Sequence, residues 1–74
     1  MWTKGTIKVD GVEINYFIKH FEKGSMYGID DGRISKLELR ADGIIIANYD
    51  RGWDIEPVTP TAKQALKEVL AKYN

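Results

Sequence analysis

The chain contains no cysteine. That removes disulfide staples, thiolate metal sites and Cys–His pairs together, and it fits a reducing, cytoplasmic setting. It has one histidine, His20, so there is no second imidazole for a zinc site. A lone histidine without partners nearby in sequence reads as a surface or packed residue. No apolar run approaches the roughly 20 residues of a membrane span. The first ten residues, MWTKGTIKVD, lack the apolar core of a signal peptide. Neither sign of charge is in excess. Lys plus Arg and Asp plus Glu both number 11, which argues against strong non-specific nucleic-acid binding but leaves room for a local basic patch. These absences predict a cytoplasmic domain with no cofactor, no metal and no membrane contact.

At 74 residues the chain allows a single domain, residues 1–74, with one small core. Folding at this size buries only roughly 60% of the unfolded surface. With no staple available, association with another chain is the remaining common source of extra burial.

What is present is organised around turns. Asp10-Gly11 lies between WTKGTIKV and VEINYFIKHF, and Asp42-Gly43 lies between RISKLELRA and IIIANYD. An Asp-Gly pair between such runs is a strong hairpin signal, because a type I′ turn needs positive φ at both central residues. In the first hairpin Val9 then faces Val12, Ile7 faces Ile14, Gly5 faces Tyr16 and Thr3 faces Ile18, all on one face. The reverse face pairs Lys8 with Glu13, Thr6 with Asn15, Lys4 with Phe17 and Trp2 with Lys19, the last a cation–π pair. In the second hairpin Ala41 faces Ile44, Leu39 faces Ile46 and Leu37 faces Asn48. Its reverse face pairs Arg40 with Ile45, Glu38 with Ala47 and Lys36 with Tyr49. Each hairpin thus has one aliphatic face and one of cations and aromatics.

Between the hairpins, residues 22 to 32 form a glycine-rich loop, EKGSMYGIDDG. Met26, Tyr27 and Ile29 are too apolar for free solvation, so some of them fold back on the sheet edge. Arg51 to Pro60 reads as a loop, since its two prolines disfavour helix and central strand. A C-terminal helix follows. It starts either at Thr59 with Pro60 in the first position or at Thr61 with Gln64 as a capping box. Ala62, Ala65, Leu66, Val69, Leu70 and Tyr73 recur at helical spacing and form its core stripe. The predicted architecture is α+β: a four-stranded antiparallel meander with one helix on one face, ββββα. One helix covers one face. The other is left with Trp2, Lys4, Phe17, Lys19, Phe21, Lys36, Arg40, Ile45 and Tyr49, a partly apolar surface of the kind that meets a partner.

Chemical motifs are weak. Tyr27 to Glu38 partly fits a calcium loop, with Asp31, Gly32, Ile34 and Glu38 in register. Tyr27 and Ile29, however, stand where oxygen ligands belong, so a turn is the better reading. Ser25 and Ser35 lack a nucleophile-elbow context, and Gly24, Gly28 and Gly32 form no phosphate loop. Asp50, Asp54 and Glu56 surround Arg51, which favours salt bridging and loop capping over acid–base work. The run from Asn48 to Trp53 reads as a strand end with Trp53 plugging the core. Its functional reading is an Arg and a Trp presented to a partner.

The segments YGI-DDGRISKLEL and NYDRGWDI, with the Trp near the N-terminus, resemble a family of short proteins from bacterial phages and mobile elements. That family is a domain of unknown function, and the resemblance covers nearly the whole chain. It implies a phage or integrated-element origin and assigns no catalytic or binding residue.

The sequence therefore predicts a non-enzymatic interaction module. It self-associates, most simply as a homodimer, or docks on a protein through the open sheet face. The alternative class is a single-stranded nucleic-acid binder, with Trp2, Phe17, Phe21 and Tyr49 stacking bases and Lys4, Lys19, Lys36 and Arg40 on phosphates. Zero net charge, with Glu13 and Glu38 on that face, favours the protein partner.

Overall fold

Both Asp-Gly pairs turn the chain as their backbone preference requires. In the computed structural model, which describes residues 1–74, Asp10 and Gly11 have φ of 51° and 79°, and Asp42 and Gly43 have φ of 52° and 76°. These are type I′ turns. The first joins β1 (Trp2–Val9) to β2 (Val12–His20), and every cross-strand pair from Val9–Val12 to Trp2–Lys19 is the one the turn predicts. The second joins β3 (Ile34–Ala41) to β4 (Ile44–Asp50).

The second hairpin departs from its predicted register after two pairs. Ala41 faces Ile44 and Arg40 faces Ile45, but Leu39 then pairs with Ala47, Glu38 with Asn48, Leu37 with Tyr49 and Lys36 with Asp50. Ile46 is the extra residue of a β-bulge, so the expected Leu39–Ile46, Glu38–Ala47, Leu37–Asn48 and Lys36–Tyr49 pairs do not form. The bulge lets Ile46 pack against the core and still brings Ala47 and Tyr49 inside, at 0% and 7% exposure. Unbroken alternation would have put the Asn48 amide inside and Tyr49 outside, which is the costlier arrangement.

The sheet has five strands, not the predicted four. Arg51 takes φ of 56°, and the Asp50 N–H donates to the Gly52 carbonyl at 2.9 Å. The chain is thereby turned back, and β5 (Trp53–Ile55) pairs with Asn48 and Tyr49 inside the stretch read as a loop. The strand order is β1-β2-β3-β4-β5, an antiparallel meander.

Of the two helix starts, the first is used. Helix α1 (Pro60–Tyr73) is capped by Thr59, whose hydroxyl accepts from the Ala62 N–H at 3.0 Å, with Pro60 at the first turn. It lies across β1, β2 and β3. Ala62, Ala65 and Val69 are buried, while Leu66, Leu70 and Tyr73 pack as partly buried flanks. The small alanines let the helix approach the aliphatic face, where Ile14, Ile18, Leu37 and Leu39 are fully buried. The Tyr16 ring lies across Gly5 on the neighbouring strand. Its hydroxyl meets that of Tyr73 at 2.8 Å, and this bond, with burial and the Tyr73 charge behind it, raises the Tyr16 pKa.

The loop between β2 and β3 is partly folded back. Ile29 is buried within a single 3-10 turn (Ile29–Asp31), whereas Met26 and Tyr27 are exposed. Three contacts pin the loop. The Asn74 side chain accepts from the Ile34 N–H at 2.9 Å and donates to the Ile29 carbonyl at 3.0 Å, over Gly32. The Tyr49 hydroxyl donates to the Tyr27 carbonyl at 2.9 Å.

Candidate functional site

The face opposite the helix is built from the outward positions of β1, β2 and β3. Trp2 faces Lys19 and Phe17 faces Lys4, which makes the two rings diagonal neighbours. They stack at 4.7 Å between centroids and 15° between planes. Lys19 Nζ lies 5.7 Å from the Trp2 ring and 5.5 Å from the Phe21 ring, so one ammonium bridges two aromatic groups. Trp2, Phe17 and Phe21 are 49%, 43% and 47% exposed, which marks them as surface rings and not core.

Of the predicted face residues, Trp2, Lys4, Phe17, Lys19, Lys36, Arg40 and Ile45 share this side by register, and Phe21 stands just beyond the end of β2. Tyr49 does not belong to it. The bulge at Ile46 turns its ring into the core, where burial first, then the charges of Asp30 and Asp31, raise its pKa. Asn48 takes the outward place and donates to Asp54 at 3.4 Å.

The cations of the face divide into two sets. Arg40 Nε lies 2.7 Å from Glu38, whose hydrogen bond holds the guanidinium pKa up, and Lys36 Nζ lies 3.8 Å from Asp50. Lys4 and Lys19 have no carboxylate within ion-pair distance. A trough of about 420 Å³ runs past Lys4, Thr6, Asn15, Phe17, Glu38 and Arg40. A smaller one of about 230 Å³ lies between Trp2, Phe17, Lys36, Glu38, Asn48 and Asp50.

The other sequence candidates are not gathered into a centre. His20 Nε2 lies 2.9 Å from the Thr3 hydroxyl, and its ring tilts against Tyr73 at 5.4 Å. Burial lowers its pKa, helped by the N-terminal ammonium and Arg33. Glu38 of the calcium-like segment sits in β3 with Arg40, and no group of three or more His, Asp or Glu side chains is placed to hold a metal ion. Asp50 approaches Lys36 and Arg51, and Asp54 serves Asn48. Trp53 meets Tyr49 edge-on at 5.0 Å and stays 36% exposed, so Tyr49 and not Trp53 plugs the core. No helix is long and apolar enough to cross a membrane.

A further concavity of about 380 Å³ opens at the end of the sheet. There Ser25, Tyr27, Ser35 and Arg51 join Lys19 and Lys36. Sequence reasoning did not find it, because its residues come from four separate segments and share no motif.

No curated protein and no solved structure matches the chain. The profile of a domain of unknown function (DUF7678) matches residues 1–74. The chain therefore belongs to the DUF7678 family along its whole length.

Proposed function

We propose that the protein is a small non-enzymatic interaction module of phage or mobile-element origin, working in the cytoplasm. It self-associates or docks on a protein partner through the open sheet face. The observation that carries this reading is the stacked Trp2–Phe17 pair, large rings left on a face that the helix does not cover. A domain of this size gains most from added burial, and a symmetric pair would supply it. The surrounding ions fit the polar rim of such a contact, since Arg40 and Lys36 already have Glu38 and Asp50 as partners.

The same pairing weakens the single-stranded nucleic-acid alternative. Of its platforms, Tyr49 is buried, and of its phosphate contacts Arg40 is engaged by Glu38 at 2.7 Å. Trp2, Phe17, Phe21, Lys4, Lys19 and the loosely paired Lys36 remain for it. Sedimentation of the parent and of Phe17→Glu, each with and without a single-stranded oligonucleotide, separates the two. The expected parent is larger than a monomer, and Phe17→Glu splits it, because a charge is placed among apolar contacts. A monomeric parent that binds the oligonucleotide, and loses it on Phe17→Glu, would overturn the protein-interface reading in favour of its alternative.

A further inference from the structure

The concavity at the end of the sheet differs from the two troughs in its charge. Both troughs include Glu38 in their walls. This one is walled by Lys19, Lys36 and Arg51 and by no acid, in a chain whose net charge is zero. Asp50 stands outside the wall and reaches Lys36 and Arg51 only at 3.8 Å and 3.9 Å. Contacts of that length between exposed side chains leave most of the cationic character in place.

Two features suggest that these groups are held for a ligand. Arg51 has φ of 56°, and every other residue with positive φ is Asp or Gly. Asp and Gly adopt that region readily, whereas Arg does so at a steric cost. A residue held there by its surroundings, here by an N–H bond to the Ser35 carbonyl at 2.9 Å, is the kind of local strain that gathers at binding sites. The second feature is Ser35. It is the buried polar residue of the chain, at 6% exposure. Its hydroxyl makes one hydrogen bond, a long one of 3.5 Å to the Lys19 carbonyl, and Ser35 is among the residues that line the concavity.

We infer that this concavity binds the phosphoryl group of a nucleoside monophosphate, with the base against Tyr27. Three cations and a buried hydroxyl offer more donors than the two oxygens of a carboxylate can take. A phosphate monoester has three terminal oxygens and a charge near −2 at neutral pH. Tyr27 is 54% exposed at the rim, an open plane for stacking a base. Phe21 is already occupied by the Lys19 ammonium. This assignment goes beyond the open-face reading: it shares Lys19 and Lys36 with that face but turns on Arg51, Ser35 and Tyr27, which lie outside it, so either can fail alone.

The test is a titration of the intact protein, followed by amide NMR shifts, with adenosine 5′-monophosphate, inorganic phosphate and adenosine as separate probes. The monophosphate should saturate shifts centred on Ser35, Lys36 and Arg51. Inorganic phosphate should bind there about ten-fold more weakly and adenosine should not saturate, as expected when charge-assisted bonds dominate and stacking adds to them. Arg51→Gly suits the positive φ, so the fold and thermal midpoint should be kept or improved while affinity falls about ten-fold or more. Phe17→Leu, which adds no charge beside Lys19, should leave that affinity unchanged. No saturable shift with either phosphate probe overturns the site. So do shifts centred on Trp2 and Phe17, or undiminished binding by Arg51→Gly. A monophosphate that binds no better than inorganic phosphate overturns the base contact.

Discussion

Replacing Gly5 by alanine puts the packing of the helix-side face to a direct test. At an ordinary strand position this change would stabilise by about 0.5–1 kcal/mol, because alanine loses less backbone freedom. At Gly5 a Cβ would stand 2.6 Å from Cζ and 2.9 Å from Cε2 of Tyr16, and closer still to its hydroxyl. The ring has little freedom to swing aside. It is 6% exposed, and its hydroxyl is bonded to Tyr73 at 2.8 Å. Forcing extra volume into such a site costs about 1–3 kcal/mol, and loss of the tyrosine pair would add about 0.5–1.5 kcal/mol. With the alanine gain offset against these, Gly5→Ala should destabilise by about 0.5–4 kcal/mol, or about 4–8 °C in Tm for each kcal/mol. Urea unfolding should show a lower midpoint at unchanged slope. Tyr16→Leu removes the ring, so in that background Gly5→Ala should be neutral or stabilising, a coupling of about 0.5–3 kcal/mol. An equal cost in both backgrounds, or a Gly5→Ala protein as stable as the parent, would refute the argument.

Other outcomes follow from the same structure. Leu39→Ala, at a fully buried position, should cost about 2–5 kcal/mol in urea unfolding, and Leu66→Ala less, since Leu66 is only partly buried beside the core. Gly11→Ala and Gly43→Ala should each cost about 1–2 kcal/mol, although a Cβ there meets no neighbouring atom, because the penalty lies in the positive φ alone. A crystal structure with negative φ at either glycine would remove that expectation for its hairpin. For His20 the folded pKa is lowered, so the unfolded chain binds more protons between the two pKa values and stability rises with pH there. This contribution is complete above roughly pH 6.5 and is lost as the pH falls through the folded value. His20→Gln should therefore flatten the fall in urea midpoint between about pH 7.5 and about pH 5, and an unchanged slope would discount it.

What the sequence revealed and what it concealed divide along physical lines. The Asp-Gly turns, the pairs of the first hairpin, the Thr59–Pro60 start and the helix stripe were legible because each rests on a local preference. The bulge was not. Ile44, Ile45 and Ile46 are chemically alike, so alternation could not mark which of them is extra. The choice is made by Tyr49 and Ala47 fitting the core. That error carried Tyr49 into the predicted open face. The short strand from Trp53 to Ile55 was hidden by the prolines that follow it. Its cause is tertiary, since its partners are Asn48 and Tyr49 at the end of β4. The Trp2–Phe17–Lys19 cluster was legible from the first register. The grouping of Ser35 with Arg51 was not, because it depends on where the loop and the β4–β5 turn come to rest.

The Asn74 side chain couples the order of one stretch of the chain to the docking of another. Its carboxamide bonds Ile29 and Ile34, 45 and 40 residues away, and it can do so only while α1 lies on the sheet. The loop from Gly24 to Arg33 thus draws part of its order from the helix terminus and part from Tyr49. The loop's own bonds are few: the single turns Gly28 to Ser25 and Asp31 to Gly28, and the Ser25 N–H donating across the loop to the Gly32 carbonyl at 3.1 Å. In Asn74→Ala the loop amides should exchange with solvent faster while those of β1 and β2 keep their protection. Uniform acceleration would instead mean that the loop and the sheet open as one unit. Tyr27 rides on this loop, so the rim of the end-of-sheet concavity is held jointly by the Asn74 carboxamide and by the Tyr49 hydroxyl on the Tyr27 carbonyl.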